Sequence, residues 1–330
     1  VGNNLLEIRG LTTKFFLYDG EVTALNGFNF RMAEGESVGI VGETGCGKSV
    51  AALSVLGLVP HPGKIVEGSI RYKGMELRKL SAEQMRGIRG KEISMIFQDP
   101  SSSLDPVFTV GHQLKEVISL HKGVYDKKEL RRLVMESLKL VRIAAPETVI
   151  RQYPHELSGG MKQRVMIAIA LTCSPSLLIA DEPTTALDVT IQAQVLKLLK
   201  SLVEQSGSSL LLITHNLGIV AETCDRVCVM YAGRIVEDAP VIEFFENPRH
   251  PYSIGLLHAF PKRADRNEEL YTIRGTVPNL MHLPPGCAFA DRCEFRTEKC
   301  IEESPDTIVV GPNHSVSCHR FSDKGGDSDG

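Results

Sequence analysis

The stretch Gly42-Glu43-Thr44-Gly45-Cys46-Gly47-Lys48-Ser49 constrains this chain more than any other. It follows the apolar run Ser37-Val38-Gly39-Ile40-Val41 and leads into Val50-Ala51-Ala52-Leu53-Ser54-Val55-Leu56, so it reads as strand, loop, helix. A GxxxxGK[ST] string in that setting is expected to be a phosphate-binding loop. Glycines at 42, 45 and 47 permit backbone conformations that turn successive N–H groups toward phosphate oxygens, and the helix N-terminus behind them adds to the attraction. Lys48 is expected to reach the β- and γ-phosphates, and Ser49 to supply a hydroxyl oxygen to Mg²⁺.

Composition narrows the classes. At 330 residues the chain exceeds the usual single-domain length, which implies one large domain plus an appendage. A net charge of −3, no Trp and 6% aromatic residues give neither the basic footprint nor the stacking surface of a nucleic-acid binder. The longest apolar runs, Val165 to Ala170 and Ser209 to Ile213, are too short to span a bilayer. The start, Val1-Gly2-Asn3-Asn4, has no basic segment followed by an apolar one, so no secretory signal is expected, and Val1 suggests that the native start is missing. Of eight cysteines, Cys46, Cys173, Cys224 and Cys228 are spread through the first part, while Cys287, Cys293, Cys300 and Cys318 crowd the tail. In a reducing compartment that tail cluster reads as a metal site rather than as disulfides.

Along the chain, alternation over Leu6 to Leu11 and Leu25 to Met32 predicts antiparallel strands, with Phe15 or Phe16 near the end of the first and able to stack on a purine or to pack in the core. Gly68 to Tyr72 predicts another strand after the break at His61-Pro62-Gly63. Ile93 to Phe97 is an apolar strand ending at Gln98, followed by the loop Asp99 to Pro106. A helical pattern runs from Val110 to about Ala144, and Ser158 is suited to cap the helix that continues through Val165 to Leu171, with Gly159 and Gly160 leaving N–H groups bare as a second anion site. Leu177 to Glu182 is a buried strand whose terminal carboxylates fall at the ligand-binding edge of a parallel sheet. Asp181 would approach Mg²⁺ and Glu182 would polarise a water attacking the γ-phosphate. Asp188 follows in a loop, Ile191 to Glu204 is a helix, and Ser209 to Thr214 is a strand ending at His215, which could hold the γ-phosphate and its attacking water.

Taken together, Gly42 to Ser49, Gln98, Leu157-Ser158-Gly159-Gly160-Met161-Lys162-Gln163-Arg164, Asp181-Glu182, Asp188 and His215 resemble the nucleotide-binding subunit of ATP-binding-cassette transporters. The resemblance covers residues 5 to 240. It implies an α/β fold, a RecA-like core with an antiparallel β-subdomain and a helical subdomain at about 99–175, within a cassette over 1–240. It also implies two such subunits, identical or paralogous, closing face to face on ATP. Aligned without gaps to the family's first strand, Phe15 falls at the adenine-stacking position, with Phe16 as the alternative. Gly42, Glu43, Thr44, Gly45, Cys46, Gly47, Lys48, Ser49 and Val50 then bind one nucleotide, and Ser158, Gly159 and Gly160 the partner's. Ser49, Gln98 and Asp181 are the implied Mg²⁺ residues, and Lys48, Gln98, Asp181, Glu182 and His215 the catalytic ones.

Asn247-Pro248-Arg249-His250-Pro251-Tyr252, Pro285-Gly286-Cys287, Arg292-Cys293, Cys300 and His314-Ser315-Val316-Ser317-Cys318 resemble the tail of ATPase subunits from dipeptide and oligopeptide importers. This implies a Cys-rich extension over 241–320 holding a [4Fe–4S] cluster on Cys287, Cys293, Cys300 and Cys318, with zinc, on four cysteines or with His314 or His319 replacing one, as the alternative. The implied setting is the cytoplasmic face of the cell membrane, with two transmembrane permease subunits, an extracytoplasmic peptide-binding protein acting indirectly, and no nucleic acid. A soluble cassette ATPase of nucleic-acid repair or ribosome recycling and a redox sensor are the rival readings. Residues 321–330 are expected to be disordered.

Overall fold

A computed structural model describes residues 4–99, 103–184, 187–259 and 272–322. In chain order the described strands are β1 (Asn4–Leu17), β2 (Gly20–Ala33), β3 (Ser37–Val41), β4 (Gly63–Tyr72), β5 (Met75–Glu76), β6 (Ile93–Ile96), β7 (Leu177–Asp181), β8 (Ser209–Ile213), β9 (Arg226–Tyr231), β10 (Arg234–Pro240), β11 (Thr307–Gly311) and β12 (His314–Ser317). The helices are α1 (Lys48–Leu56), α2 (Ala82–Ile88), α3 (Val110–Lys122), α4 (Lys127–Leu140), α5 (Pro146–Val149), α6 (Gly159–Leu171), α7 (Val189–Ser206), α8 (Leu217–Thr223), α9 (Val241–Glu246), α10 (Pro251–His258) and α11 (Glu298–Glu302). They fall into two compact units, one from Val1–Met32, Val38–Arg78 and Thr214–Gly330, the other from Ala33–Ser37 and Lys79–Ile213. Parts of the predicted 99–106 and 186–188 loops, namely 100–102 and 186, and residues 323–330 of the tail lie outside the described residues.

In the first unit β2, β1, β4 and β5 form one sheet in that order. Its strands outrun the alternating pattern, because the outer half of β1 finds backbone partners in β4, with Lys14 opposite Lys64 and Phe15 opposite Gly63. β4 therefore begins at Gly63, which was expected to be only a breaker. A second set of strands has β3 parallel to β9, from Val38 opposite Arg226 to Val41 opposite Val229. β9 turns back into β10 through Ala232 and Gly233, at φ 44° and 81°, the left-handed pair that suits a two-residue hairpin. β12 adds antiparallel to β10 and β11 to β12, so the tail extends the same sheet.

The second unit is built on the parallel strands β8, β7 and β6, with β7 in the middle. Every residue of β7 and β8 is buried, as their unbroken apolar runs require, and each leucine so covered contributes about 2 kcal/mol. The helical stretch expected over 110–144 is interrupted where Gly123, at φ 67°, ends α3. Asp126 then caps α4 by accepting from the Glu129 N–H at 2.8 Å. α3, α4 and α6 pack on one another through Leu114, Ile118, Val134, Leu138 and Ile167, all fully buried. Among the described residues no helix is long and apolar enough to cross a membrane.

Candidate active site

In the first unit the loop between β3 and α1 is pressed against neighbouring backbone. A Cβ on Gly42 would stand 2.2 Å from the Met230 carbonyl oxygen, and one on Gly47, itself at φ 105°, would stand 2.4 Å from the Ala24 oxygen. Only glycine fits either place. The Gly233 N–H of the β9–β10 turn donates to the Cys46 carbonyl at 2.9 Å and props the loop from below. Gly47 is the N-cap of α1 and offers no side-chain acceptor to its first turn, the arrangement that favours an anion at a helix start. Lys48 is buried, and its Nζ donates to the carbonyls of Gly42 at 2.7 Å and Glu43 at 2.9 Å. The ammonium is thus curled back onto the loop's own carbonyls. Burial pushes the Cys46 thiol up, with Lys48 opposing only in part, so this cysteine stays protonated as a packing group.

Glu43 is held from the tail. Its N–H donates to the Tyr252 hydroxyl at 2.9 Å, and its carboxylate accepts both arms of the Arg292 guanidinium at 3.0 Å each. Arg292 also donates to the Arg274 carbonyl at 2.9 Å and the Tyr231 hydroxyl at 3.2 Å. Burial disfavours its charge, but Glu43 and Tyr231 outweigh that and raise its pKa above the ordinary value. Tyr231, Tyr252 and Phe289 form an aromatic cluster beside it, with centroids 4.7 to 5.4 Å apart. Of the two aromatic candidates, Phe15 is half-buried with its ring against Gly63, and Phe16 is 40% exposed. His215 is exposed, directly before Asn216, whose side chain caps α8.

In the second unit Asp181 is the buried last residue of β7, in register with Ile213. The strand was expected to continue through Glu182. Instead Glu182 takes a left-handed φ of 44° while its N–H still donates to the Ile213 carbonyl at 2.8 Å. That turn brings its carboxylate to the Gln98 amide, which donates to it at 3.1 Å from just beyond β6. Ser158 caps α6, accepting from the Met161 N–H at 3.4 Å, and Gly159 and Gly160 are the first residues of that helix. A Cβ on Gly160 would stand 3.0 Å from the Ile191 side chain, so bulk is excluded there. Asp188, expected as a loop acid, is the N-cap of α7 and accepts from the Ile191 N–H at 3.0 Å.

In the tail Cys287, Cys293, Cys300 and Cys318 line one small pocket with Phe289 and Phe295. Backbone N–H groups of Phe289, Phe295 and Arg320 point at the sulfurs of Cys287, Cys293 and Cys318, each two residues earlier. Burial raises these three thiols, Cys287 to about 11, and neighbouring cysteines add to it. Among the described residues no group of three or more His, Cys, Asp or Glu side chains is gathered closely enough to hold a metal ion. His314, one of the two histidines considered for zinc, is committed elsewhere: its Nε2 lies 2.8 Å from buried Glu237. Glu237 also accepts from the N–H groups of Arg249 at 2.7 Å and His250 at 2.8 Å. Burial alone would raise the Glu237 carboxyl, but these bonds together with Ser253 bring it below the ordinary value.

A glycine-bound loop carrying a lysine at a helix start, with a parallel strand ending at Asp181 and turned at Glu182 elsewhere on the chain, defines the class of phosphate-loop nucleoside triphosphatases. Residues 25–185 match the model of the ABC transporter family, and residues 236–300 that of the oligopeptide/dipeptide transporter C-terminal region. The chain is 47% identical to the oligopeptide transport ATP-binding protein AppD of Bacillus subtilis, over 98% of each, and 50% identical to OppD of Haemophilus influenzae, over 90% of this chain and 92% of that one. Among solved structures, the dimeric post-hydrolysis cassette MJ0796 bound to ADP and Pi matches with a TM-score of 0.64 and 27% identity, over 72% of this chain and 98% of that one. The chain therefore belongs to the ATP-binding subunits of peptide ABC transporters and is an ATP-hydrolysing cassette. The rival reading as a soluble repair or ribosome ATPase is set aside, since this chain matches these two peptide-transport ATP-binding proteins over nearly their whole length.

Proposed function

We propose that this chain powers uptake of dipeptides or oligopeptides from the cytoplasmic face of the membrane, docked on two permease subunits and paired with a second ATPase subunit. The single observation that carries the reading is the presence, on one chain, of a full phosphate loop and the oligopeptide/dipeptide transporter C-terminal region. The cassette would occupy 1–240, with its helical part at about 99–175, and the extension 241–320.

Gly42 to Val50 wrap the phosphates and offer them N–H groups other than that of Glu43, which Tyr252 holds, and Lys48 exchanges its bonds to the Gly42 and Glu43 carbonyls for phosphate oxygens. Phe15 supports the base. Ser49, Gln98 and Asp181 offer oxygen donors, the chemistry that suits Mg²⁺, which when bound neutralises charge on the phosphates. Glu182, steadied by the Gln98 amide, accepts a proton from the attacking water, and His215 holds the γ-phosphate. Ser158, Gly159 and Gly160 at the start of α6 close on the nucleotide held by the other subunit. The permease subunits take up the resulting motion. Peptide reaches them from an extracytoplasmic binding protein.

A [4Fe–4S] cluster on Cys287, Cys293, Cys300 and Cys318 is what the resemblance implies for the tail: the four line one pocket walled by Phe289 and Phe295, and to hold a cluster their sulfurs would have to draw closer together than they stand here. Bound there, the cluster would supply a covalent cross-link between segments of the tail. Anaerobically purified protein is expected to be brown, with about four irons per chain; a colourless protein with one zinc per chain overturns this.

The transport reading is tested in liposomes carrying the permease subunits and both ATPases. Binding protein loaded with peptide should stimulate hydrolysis, and DNA or ribosomes should not. Stimulation by DNA or ribosomes alone overturns it.

A further inference from the structure

We propose that Arg292 is a positioning residue for the phosphate loop, through which the tail sets the affinity of the cassette for ATP. The proposal rests on reading Gly42 to Ser49 as the nucleotide loop. Every polar group of Glu43 is engaged: its carbonyl accepts from Lys48 at 2.9 Å, its N–H donates to the Tyr252 hydroxyl at 2.9 Å, and its carboxylate takes the two-armed Arg292 bond at 3.0 Å. Two of these three holds come from beyond residue 250, outside the segment that carries the phosphate-binding motif. Glu43 is thus the handle by which the tail grips the loop, and its N–H is turned to Tyr252.

The geometry of the grip favours a fixed loop. The Arg292 side chain is only 6% exposed, and its remaining donors go to the Arg274 carbonyl and the Tyr231 hydroxyl. Its guanidinium lies 5.7 Å from the centre of the Tyr231 ring and 5.8 Å from that of Phe289. A planar fork held on every side cannot follow a wandering carboxylate, so it dictates where Glu43 stands. Glu43 is next to Gly42, where even a Cβ would strike the Met230 carbonyl, so a shift at Glu43 passes directly into the turn that cradles phosphate. Phe289 packs beside the Arg292 guanidinium and also lines the cysteine pocket, so the packing of that pocket bears on the grip on the loop.

Pre-ordering a loop spares the nucleotide the entropy of fixing it, and for one residue's backbone that corresponds to about tenfold in affinity. The test measures ATP affinity and steady-state hydrolysis for the full-length protein, Arg292→Met, Glu43→Gln and the double variant, with thermal unfolding of each. Each single change is expected to weaken ATP binding and raise KM about tenfold, to change kcat less than about twofold, and the double variant to be no worse than either single one. Arg292→Lys, which keeps the charge and loses the fork, should fall between. Unchanged ATP affinity with only a lower melting temperature overturns the proposal, as do losses that multiply in the double variant. If Arg292→Met does not fold, Glu43→Gln, whose side chain is 28% exposed, decides alone. Unaltered protein that binds no ATP would instead remove the nucleotide-loop reading itself.

Discussion

Glu182 carries two geometric peculiarities at once, a left-handed backbone and a side-chain bond to Gln98, and both bear on its chemistry. A non-glycine residue at φ 44° costs about 1 kcal/mol and persists where the surroundings hold it, here the Ile213 carbonyl on one side and Gln98 on the other. Replacing the carboxylate by an amide keeps size and the acceptor that Gln98 needs, and removes the base. Glu182→Gln should therefore fold and bind ATP normally, lower hydrolysis by about 10²- to 10⁴-fold, and accumulate as an ATP-bound dimer in gel filtration. Near-normal turnover would show that Glu182 is not the group that takes the proton. Gln98→Ala should act more weakly and in the same direction, because it frees the carboxylate without removing it.

At the scale of elements, α6 serves two ends of one argument. Ser158 caps it, and the same N-terminal turn is proposed to meet a nucleotide bound by another subunit. The two roles separate by substitution. Ser158→Ala removes the cap and should cost about 1 kcal/mol of stability, seen as a modest fall in melting temperature. Ser158→Arg places bulk and charge at the helix start, so the monomer should bind ATP as before while ATP-driven dimerisation is lost in light scattering. A collapse of monomer affinity would mean that α6 belongs to the subunit's own nucleotide site. This helix was legible in the sequence, cap included, as were the phosphate loop and the buried runs of β7 and β8, because each is specified by neighbours in the chain. The Gln98–Glu182 bond joins residues 84 apart and the Arg292–Glu43 pair residues 249 apart, and no local period or spacing reports such contacts. Asp188 stands before its helix as the sequence places it, and its role as the cap shows only in the bond from the Ile191 N–H.

For the molecule as a whole, acid is expected to be the condition that the tail resists least. His250 is buried with its Nδ1 accepting the Tyr252 N–H, and burial lowers its pKa from 6.5 to about 4 although Glu237 pulls the other way. Between those two values the unfolded chain binds a proton that the folded chain refuses, so stability rises with pH across that window and falls as pH drops through it. A shift of this size corresponds to about 3 kcal/mol, present above pH 6.5 and lost by about pH 4. Glu237 adds a loss of the same sign at lower pH, since its folded carboxyl sits below the ordinary value and its hydrogen bonds from Arg249 and His250 weaken on protonation. The expected measurement is a melting temperature that declines steadily from pH 7 to 4. His250→Asn separates the causes, because asparagine keeps an N-cap acceptor for α10 while removing the titrating ring. That variant should lose the decline between pH 6.5 and 4 and keep the steeper one below. Equal slopes in the two proteins would move the acid sensitivity to other groups. Because Tyr252, next to this pair, bonds to the N–H of Glu43, ATP affinity should weaken over the same pH range in which the melting temperature falls.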